Sequence, residues 1–395
     1  MKKQSHFLAW ALLLVPFIWS LSNSMIIPIL PRIQQELGIS KVQAGLIISA
    51  LSTPTAILLP LAGFLSDRYG RITIMIPAIL LYGLGGLVAG LAGAINSYIL
   101  LLIARGIQGI GATGTSLLAI SLAGDLFQDP QHRTKVIGAL ESSNSIGKLI
   151  SPVLGSAAAL LFWYAPFFIY PILSLPIAIL LFILRKGENK AQKYCTLRQY
   201  FQELYELLRK KFLLYLASFS CILIAVMIWF GTLFFLSEIM SERFQIQGIT
   251  KGLLLSVPVF TLALTSFIAS RYLTCGLAKR TYYGLGLISL TLLATIVLPD
   301  SFLLYVTVGL IGIGFGLVLP SMNTLITSSV DIKERGVITA TYGSIRALGS
   351  AIGPVTVGAL LVATNENMVL ICTGTLALIA TFICYFFVNE QELMN

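Results

Sequence analysis

Charge is scarce in this chain. Only 11% of its 395 residues are Asp, Glu, Lys or Arg, where a soluble domain carries about a quarter. Histidine is scarcer still, with His6 and His132 alone. The five cysteines (Cys195, Cys221, Cys275, Cys372 and Cys384) make no C-x-x-C and have no histidine partner in sequence. Metal ligation and a disulfide framework are therefore unsupported, and cysteine reads as a small apolar packing residue. There is no Walker sequence, no nucleophile–base constellation and no soluble stretch large enough to signal. The chain is expected not to be an enzyme, to carry no cofactor or metal, and not to pump by itself at the expense of ATP.

Apolar residues fill the space, at 57% of the chain. Runs of about 20 residues recur from end to end, each able to cross ~30 Å of hydrocarbon. Twelve are counted, near 7–30, 41–65, 72–94, 97–124, 134–161, 163–184, 212–236, 250–272, 281–298, 302–327, 336–363 and 366–388. The expected fold is an all-α membrane protein of twelve transmembrane helices. The net charge of +10 does not imply nucleic acid, because the basic residues are sorted along the chain. With a cytoplasmic N-terminus, nineteen of the 26 fall in inner segments and four (Arg32, Lys41, Arg243 and Lys251) in outer loops. Three more, Arg105, Lys148 and Arg346, fall inside spans. That bias is the positive-inside rule and places both termini in the cytoplasm.

The spans form two halves. Arg133 and Arg335, which differ by 202 positions, each stand fourteen residues before a glycine (Gly147, Gly349) and nineteen before a proline (Pro152, Pro354). Gly106, Gly109 and Gly111 match Gly309, Gly312 and Gly314 at an offset of 203, which implies close helix packing at like places in each half. A basic break at 185–211 separates the halves, and its Leu197–Leu208 part has helical periodicity with Tyr200, Phe201, Leu204, Tyr205 and Leu208 on one side. The expected domains are a six-helix bundle over 1–184, a cytoplasmic basic linker over 185–211, and a second six-helix bundle over 212–395. Halves related in this way rock about a central site in secondary transporters.

Three segments carry more than topology. After span two the chain reads Gly63-Phe-Leu-Ser-Asp67-Arg68-Tyr-Gly70-Arg71. The glycines permit a tight turn, and Asp67 can pair with Arg71 at the cytoplasmic edge. Span four holds Arg105-Gly106-Ile-Gln108-Gly109, an arginine at a depth where charge is costly. Span five holds Gly138, Gly147, Ser151, Pro152 and Gly155, a stripe of small residues suited to close packing.

These segments resemble motifs A, B and C of the major facilitator superfamily, in its twelve-span drug:proton antiporter branch. Motif A departs after Arg71, where Ile72 replaces a basic residue; motif C has Ser151 in place of a glycine; the second half keeps no good motif A. The stretch from Leu140 to Lys148 also looks like exporters of drugs or siderophores. The resemblance implies two pseudo-symmetric six-helix bundles, a monomer, a small-molecule substrate and protons as coupling ion. It implies proton transfer for Arg105 and, for Asp125 with motif A, a charge cluster that closes the inner gate. It also marks Asn23, which stands where related exporters often carry an aspartate.

Coupling to protons calls for a carboxylate inside the membrane. Glu141 is the one clearly interior to a span, eight residues beyond Arg133 and so about 12 Å deep at ~1.5 Å per residue. Gly138, Glu141, Ser145 and Lys148 share one helical face, turned about 100° from the glycine face. Glu141 has two readings, a coupling group or a permanent ion-pair partner of Lys148 or Arg105. Arg346, at the position matching Asn144, is a second cavity cation or a structural one. Glu238 falls near the outer end of span seven and has two readings, a second proton site or, the one preferred, a solvated group. The function expected is proton-coupled efflux of small amphipathic molecules by alternating access at the plasma membrane, in contact with lipid throughout. A proton-coupled nutrient importer is the alternative.

Overall fold

A computed structural model of the chain describes residues 2–126, 129–184, 197–273, 276–297, 300–330 and 335–388. Among these residues the regular structure is all helix. The first half contains α1 (Lys2–Ser20), α2 (Leu30–Leu37), α3 (Lys41–Tyr69), α4 (Arg71–Ala94), α5 (Tyr98–Ala112), α6 (Ser116–Leu126), α7 (Pro130–Ala158) and α8 (Ile169–Leu184). Then come α9 (Leu197–Lys210), α10 (Phe212–Glu242), α11 (Gly248–Tyr272), α12 (Leu277–Ala294), α13 (Asp300–Ser328), α14 (Arg335–Ala363) and α15 (Glu366–Phe387). Eight helices among the described residues are long and apolar enough to cross a membrane: α3, α4, the α8 region, α10, α11, α13, α14 and α15. The other four expected spans are interrupted (α1, α5 with α6), charged (α7) or polar at the start (α12, with Lys279 and Arg280).

Two expected spans are broken. The first was read as one run over 7–30, yet α1 stops at Ser20, residues 21–26 form turns, and a short 3-10 segment Ile27–Ile29 leads into α2. Span four breaks between α5 and α6 around Thr113–Thr115. Apolar composition cannot reveal such breaks, because it measures transfer into lipid and not backbone geometry.

The chain divides into two compact units. One comprises Met1–Ile39 and Ala50–Tyr200, the other Ser40–Ser49 and Phe201–Asn395. This differs from the expected boundaries of 1–184 and 212–395 in two ways. The division falls inside α9, and the first turns of α3 go with the second unit. There a side chain on Gly45 would press on the Pro354 backbone, and Ser49 donates a hydrogen bond to the Ala351 carbonyl. Linker residues 185–196 lie outside the described residues. Among the described side chains of α9 Tyr200 and Leu207 are buried, with Tyr200 edge-on to Phe64 at 5.9 Å; that of Phe201 lies outside the described residues. Tyr205, expected on the same side, is exposed.

The sequence repeat reappears as repeated packing inside each unit. In the first, a Cβ on Gly109 would strike the Leu51 carbonyl of α3, and one on Gly111 would strike the backbone of α4 at Ala78 and Tyr82. In the second, a Cβ on Gly312 would strike the Pro258 carbonyl of α11, and one on Gly314 would press on Gly284 and Ile288 of α12. The first glycine of each triplet, Gly106 or Gly309, has room. Small residues thus mark the same two helix contacts in each half.

Candidate functional site

The site is built on α7. Its glycine face lies along α1 and the break that follows it. A Cβ on Gly147 would meet Ser20 and Phe17; one on Gly155 would collide with the Met25 carbonyl oxygen. Ser143 donates to the Leu13 carbonyl at 2.6 Å. Ser151 and Pro152 are buried in the same contact, and the Ser151 hydroxyl is satisfied by the Lys148 carbonyl at 2.9 Å. The hydroxyl explains why serine serves where the motif has glycine: it bonds within its own helix. Gly138, by contrast, faces open space.

The face of α7 turned about 100° from the glycine face is polar and exposed. Glu141, Ser142 and Ser145 stand on it, and the Ser145 hydroxyl bonds back to the Glu141 carbonyl at 2.9 Å. Lys148, half-buried, sets its ammonium 5.9 Å from the Trp19 ring centroid, within cation–π range. Among the described residues no ion pair joins Glu141 to Lys148 or Arg105. The two faces of α7 thus differ in burial and in partners.

Arg105, whose depth called for a polar cavity or a partner, lies among partners. It is fully buried inside the first unit. Its guanidinium donates to Asn23 Oδ1 and to Gln108 Oε1, both at 2.7 Å, and lies 3.5 Å from the Ser22 carbonyl. Asn23 in turn donates to Ser52 Oγ at 2.9 Å. The Tyr170 hydroxyl donates to the Ser22 carbonyl at 2.8 Å, and the Tyr82 hydroxyl reaches the Ile18 carbonyl at 3.3 Å. The two phenol rings meet edge to face at 5.4 Å.

The physical reason is the break in span one. A helix that stops inside the membrane leaves carbonyls without partners, and those groups are costly unless something donates to them. Here Tyr82, Tyr170 and Arg105 donate to Ile18, Leu21 and Ser22. Sequence reasoning named Arg105 and Asn23 but missed Tyr82, Tyr170 and Ser52. A tyrosine in an apolar helix carries no signal that distinguishes a carbonyl cap from a core ring.

At the other end of α3, Asp67 and Arg71 form an ion pair at 3.6 Å. Between them Gly70 takes a φ of 98°, a conformation open to glycine, and the α3–α4 corner turns on it. Ser66 closes the turn onto the Gly63 carbonyl at 2.7 Å, and Arg68 stacks over Tyr69 at 5.4 Å. Asp125 lies in the last turn of α6; its side chain falls outside the described residues.

In the second unit α14 repeats the role of α7. Gly349 and Gly353 pack on the α10 backbone at Leu223 and Met227. Arg346 is half-buried, 5.6 Å from the Tyr342 ring centroid, and its buried Nε has no hydrogen-bond partner. Two further groups differ from expectation. Glu238 is buried at 1% exposure, not solvated, and Lys251 is buried at 2%, not in a loop.

Comparison with known proteins agrees with this architecture. The family model described as the Major Facilitator Superfamily matches residues 12–237 and 218–395. The "Bacillibactin exporter" of Bacillus subtilis (strain 168) is 31% identical over 391 residues, covering 97% of this chain and 96% of that protein. A "Tetracycline resistance protein, class E" of Escherichia coli is 29% identical over 90% of this chain and 88% of that one. The crystal structure of a D-xylose–proton symporter superposes with a TM-score of 0.79 at 14% identity, covering 98% of this chain and 99% of that one. That likeness concerns the fold alone. A match over the full length by family model and by an exporter at 31% identity leads to one conclusion: this chain is a multi-pass membrane protein that belongs to the Major Facilitator Superfamily of transporters.

Proposed function

We propose that this chain is a proton-coupled exporter. It moves small amphipathic molecules, of the drug or siderophore kind, across the cell membrane by alternating access, as a monomer with both termini in the cytoplasm. The observation that carries the reading is the two-faced α7. One face is locked onto α1 by Gly147, Ser151 and Gly155, so the other must present Glu141 and Lys148 outward from the first unit. A carboxylate turned to hydrocarbon would be costly, so this face belongs to a watered cavity where a proton can come and go. Glu141 is the proton-bearing group. Lys148 and Arg346 are the cations that meet an anionic or zwitterionic cargo. Arg105 and Asn23 hold the broken first span against α3 and α5. Asp67 and Arg71, with Asp125, form the inner gate.

The export direction rests on likeness to the Bacillibactin exporter over 97% of this chain and on the motif C face. The fold by itself does not choose a direction, since a symporter shares it. Inverted vesicles holding the protein, energised and loaded with a pH-sensitive dye, test the reading. Bacillibactin and a panel of amphipathic compounds are added in turn. Substrate-evoked proton release in wild type and its loss in Glu141→Gln are expected. Release in both would move the proton site away from Glu141. Silence across the panel, with substrate accumulation by intact cells, would instead make the chain an importer.

A further inference from the structure

Several basic side chains at helix ends are paired: Arg71 with Asp67, Lys41 with Glu242, and Arg243 with Glu366. Lys279 is different. It is exposed in the first turn of α12 and has no ion pair among the described residues. In α11, α12 and α15 the one acidic side chain is Glu366, at the far end of α15. Arg280, next in sequence, donates to the Leu273 carbonyl and helps close the turn from α11.

Lys279 stands beside a run of aromatic rings that crosses from α12 to α15. The two helices meet where Cys384 Sγ lies 3.8 Å from the Ala278 carbonyl oxygen. Lys279 and Tyr385, the next residues in each helix, therefore start from the same edge. The Tyr282 ring centroid lies 4.6 Å from that of Tyr283 and 5.5 Å from that of Tyr385. Tyr385 meets Phe386 edge on at 5.0 Å, and Phe386 stacks on Phe382 at 6.4 Å. Tyr283, Tyr385, Phe386 and Phe382 are between 54% and 69% exposed, so the run faces outward from the second unit. Polarity is graded along it. The ammonium and the three phenols stand at the helix ends, and Phe382 lies deeper. Exposed Leu290 is eleven residues beyond Lys279, about 16 Å at ~1.5 Å per residue. That is the depth of one leaflet, half of ~30 Å of hydrocarbon.

We propose that this patch binds the headgroup of an anionic phospholipid. Lys279 and the phenol hydroxyls of Tyr282, Tyr283 and Tyr385 hold the phosphate, and the acyl chains run along Phe382 and Leu290. An ammonium is a compact donor to phosphate oxygen, and a phenol hydroxyl adds a neutral one. A belt of interfacial tyrosines alone would take any lipid. The ammonium without a carboxylate partner makes this site select charge, because a zwitterionic headgroup already carries its own cation beside the phosphate. Under the orientation proposed above these ends face the cytoplasmic leaflet, whose surface is negative. The binding itself does not depend on the direction of transport.

Photocrosslinking tests this on the full chain in nanodiscs of equal phosphatidylglycerol and phosphatidylcholine, without substrate or proton gradient. It therefore fails or succeeds independently of the exporter reading. The crosslinker enters as Phe382→4-benzoylphenylalanine or, as a control, at Phe267, which is likewise exposed and likewise five residues before its helix end. Mass spectrometry of the labelled peptides gives the ratio of the two lipids at each position. The ratio of phosphatidylglycerol to phosphatidylcholine at 382 is expected to exceed that at 267 by roughly fivefold, the selectivity of one surface charge. Lys279→Ala should bring it to the control value, and Lys279→Arg should keep it. Tyr282→Phe combined with Tyr385→Phe keeps the rings and the charge and should lower the ratio at least about twofold. Equal ratios at 382 and 267 in wild type, or a preference untouched by Lys279→Ala or by the tyrosine pair, overturns the proposal and leaves the rings as an interfacial anchor alone.

Discussion

Replacing Asn23 by alanine removes the amide on which the buried Arg105 guanidinium rests. The structure sets the size of the effect. One hydrogen bond lost is charge-assisted, from Arg105 at 2.7 Å, and one is neutral, to Ser52 at 2.9 Å. A bond to a charged group contributes about 1.5–3 kcal/mol and a neutral one about 0.5–1.5 kcal/mol. Arg105 keeps Gln108 and the Ser22 carbonyl, so the loss is taken as about 2–4 kcal/mol, or roughly 30- to 900-fold in the unfolding equilibrium. Asn23→Asp keeps the shape and adds a carboxylate beside the guanidinium. Desolvation and attraction then roughly offset, and stability should stay within about 1 kcal/mol of wild type. Reversible unfolding in mixed micelles, followed by tryptophan emission, reads both. The order expected is wild type close to Asn23→Asp, with Asn23→Ala well below. An alanine variant as stable as wild type would refute the reasoning, because Arg105 would then be held by other groups alone.

The remaining predictions follow from the helix faces and the ion pair. Gly155→Ala drives a methyl into the Met25 carbonyl, so it should destabilise by about 1–3 kcal/mol, while Gly138→Ala faces open space and should gain up to about 1 kcal/mol of helix preference; thermal melting in detergent should place the two on opposite sides of wild type. Asp67→Asn breaks a pair whose aspartate is 49% exposed, so the cost in stability should stay below about 1 kcal/mol. Its transport rate should fall far more than its stability; a rate that merely follows stability would remove the inner-gate role from this pair.

Much of this architecture was legible in the chain itself. Spans can be read because the bilayer demands long apolar runs, and a second half can be read because a duplicated helix keeps its glycines where backbones touch. The repeated triplets Gly106–Gly109–Gly111 and Gly309–Gly312–Gly314 show this: the second and third members of each meet a neighbouring backbone, as a close contact requires. The two faces of α7 were likewise written in the spacing of Glu141, Ser145 and Lys148 against Gly147, Ser151 and Gly155. The turn at Gly70 and the Asp67–Arg71 pair are local, and a local motif carries its own geometry.

Other features were decided only by tertiary contact. Apolar composition over 7–30 concealed a broken helix, and the residues that satisfy its carbonyls come from three other helices, at Tyr82, Arg105 and Tyr170. No spacing rule links positions so far apart. Ser40–Ser49 joins the second unit although it begins the second span, because its neighbours lie near Ala351 and Pro354. Glu238 and Lys251 read as solvated ends of spans because each was judged alone. Their burial is set by how α10 and α11 pack, with the Lys251 ammonium held on Ser241, and such packing is not contained in a linear sequence.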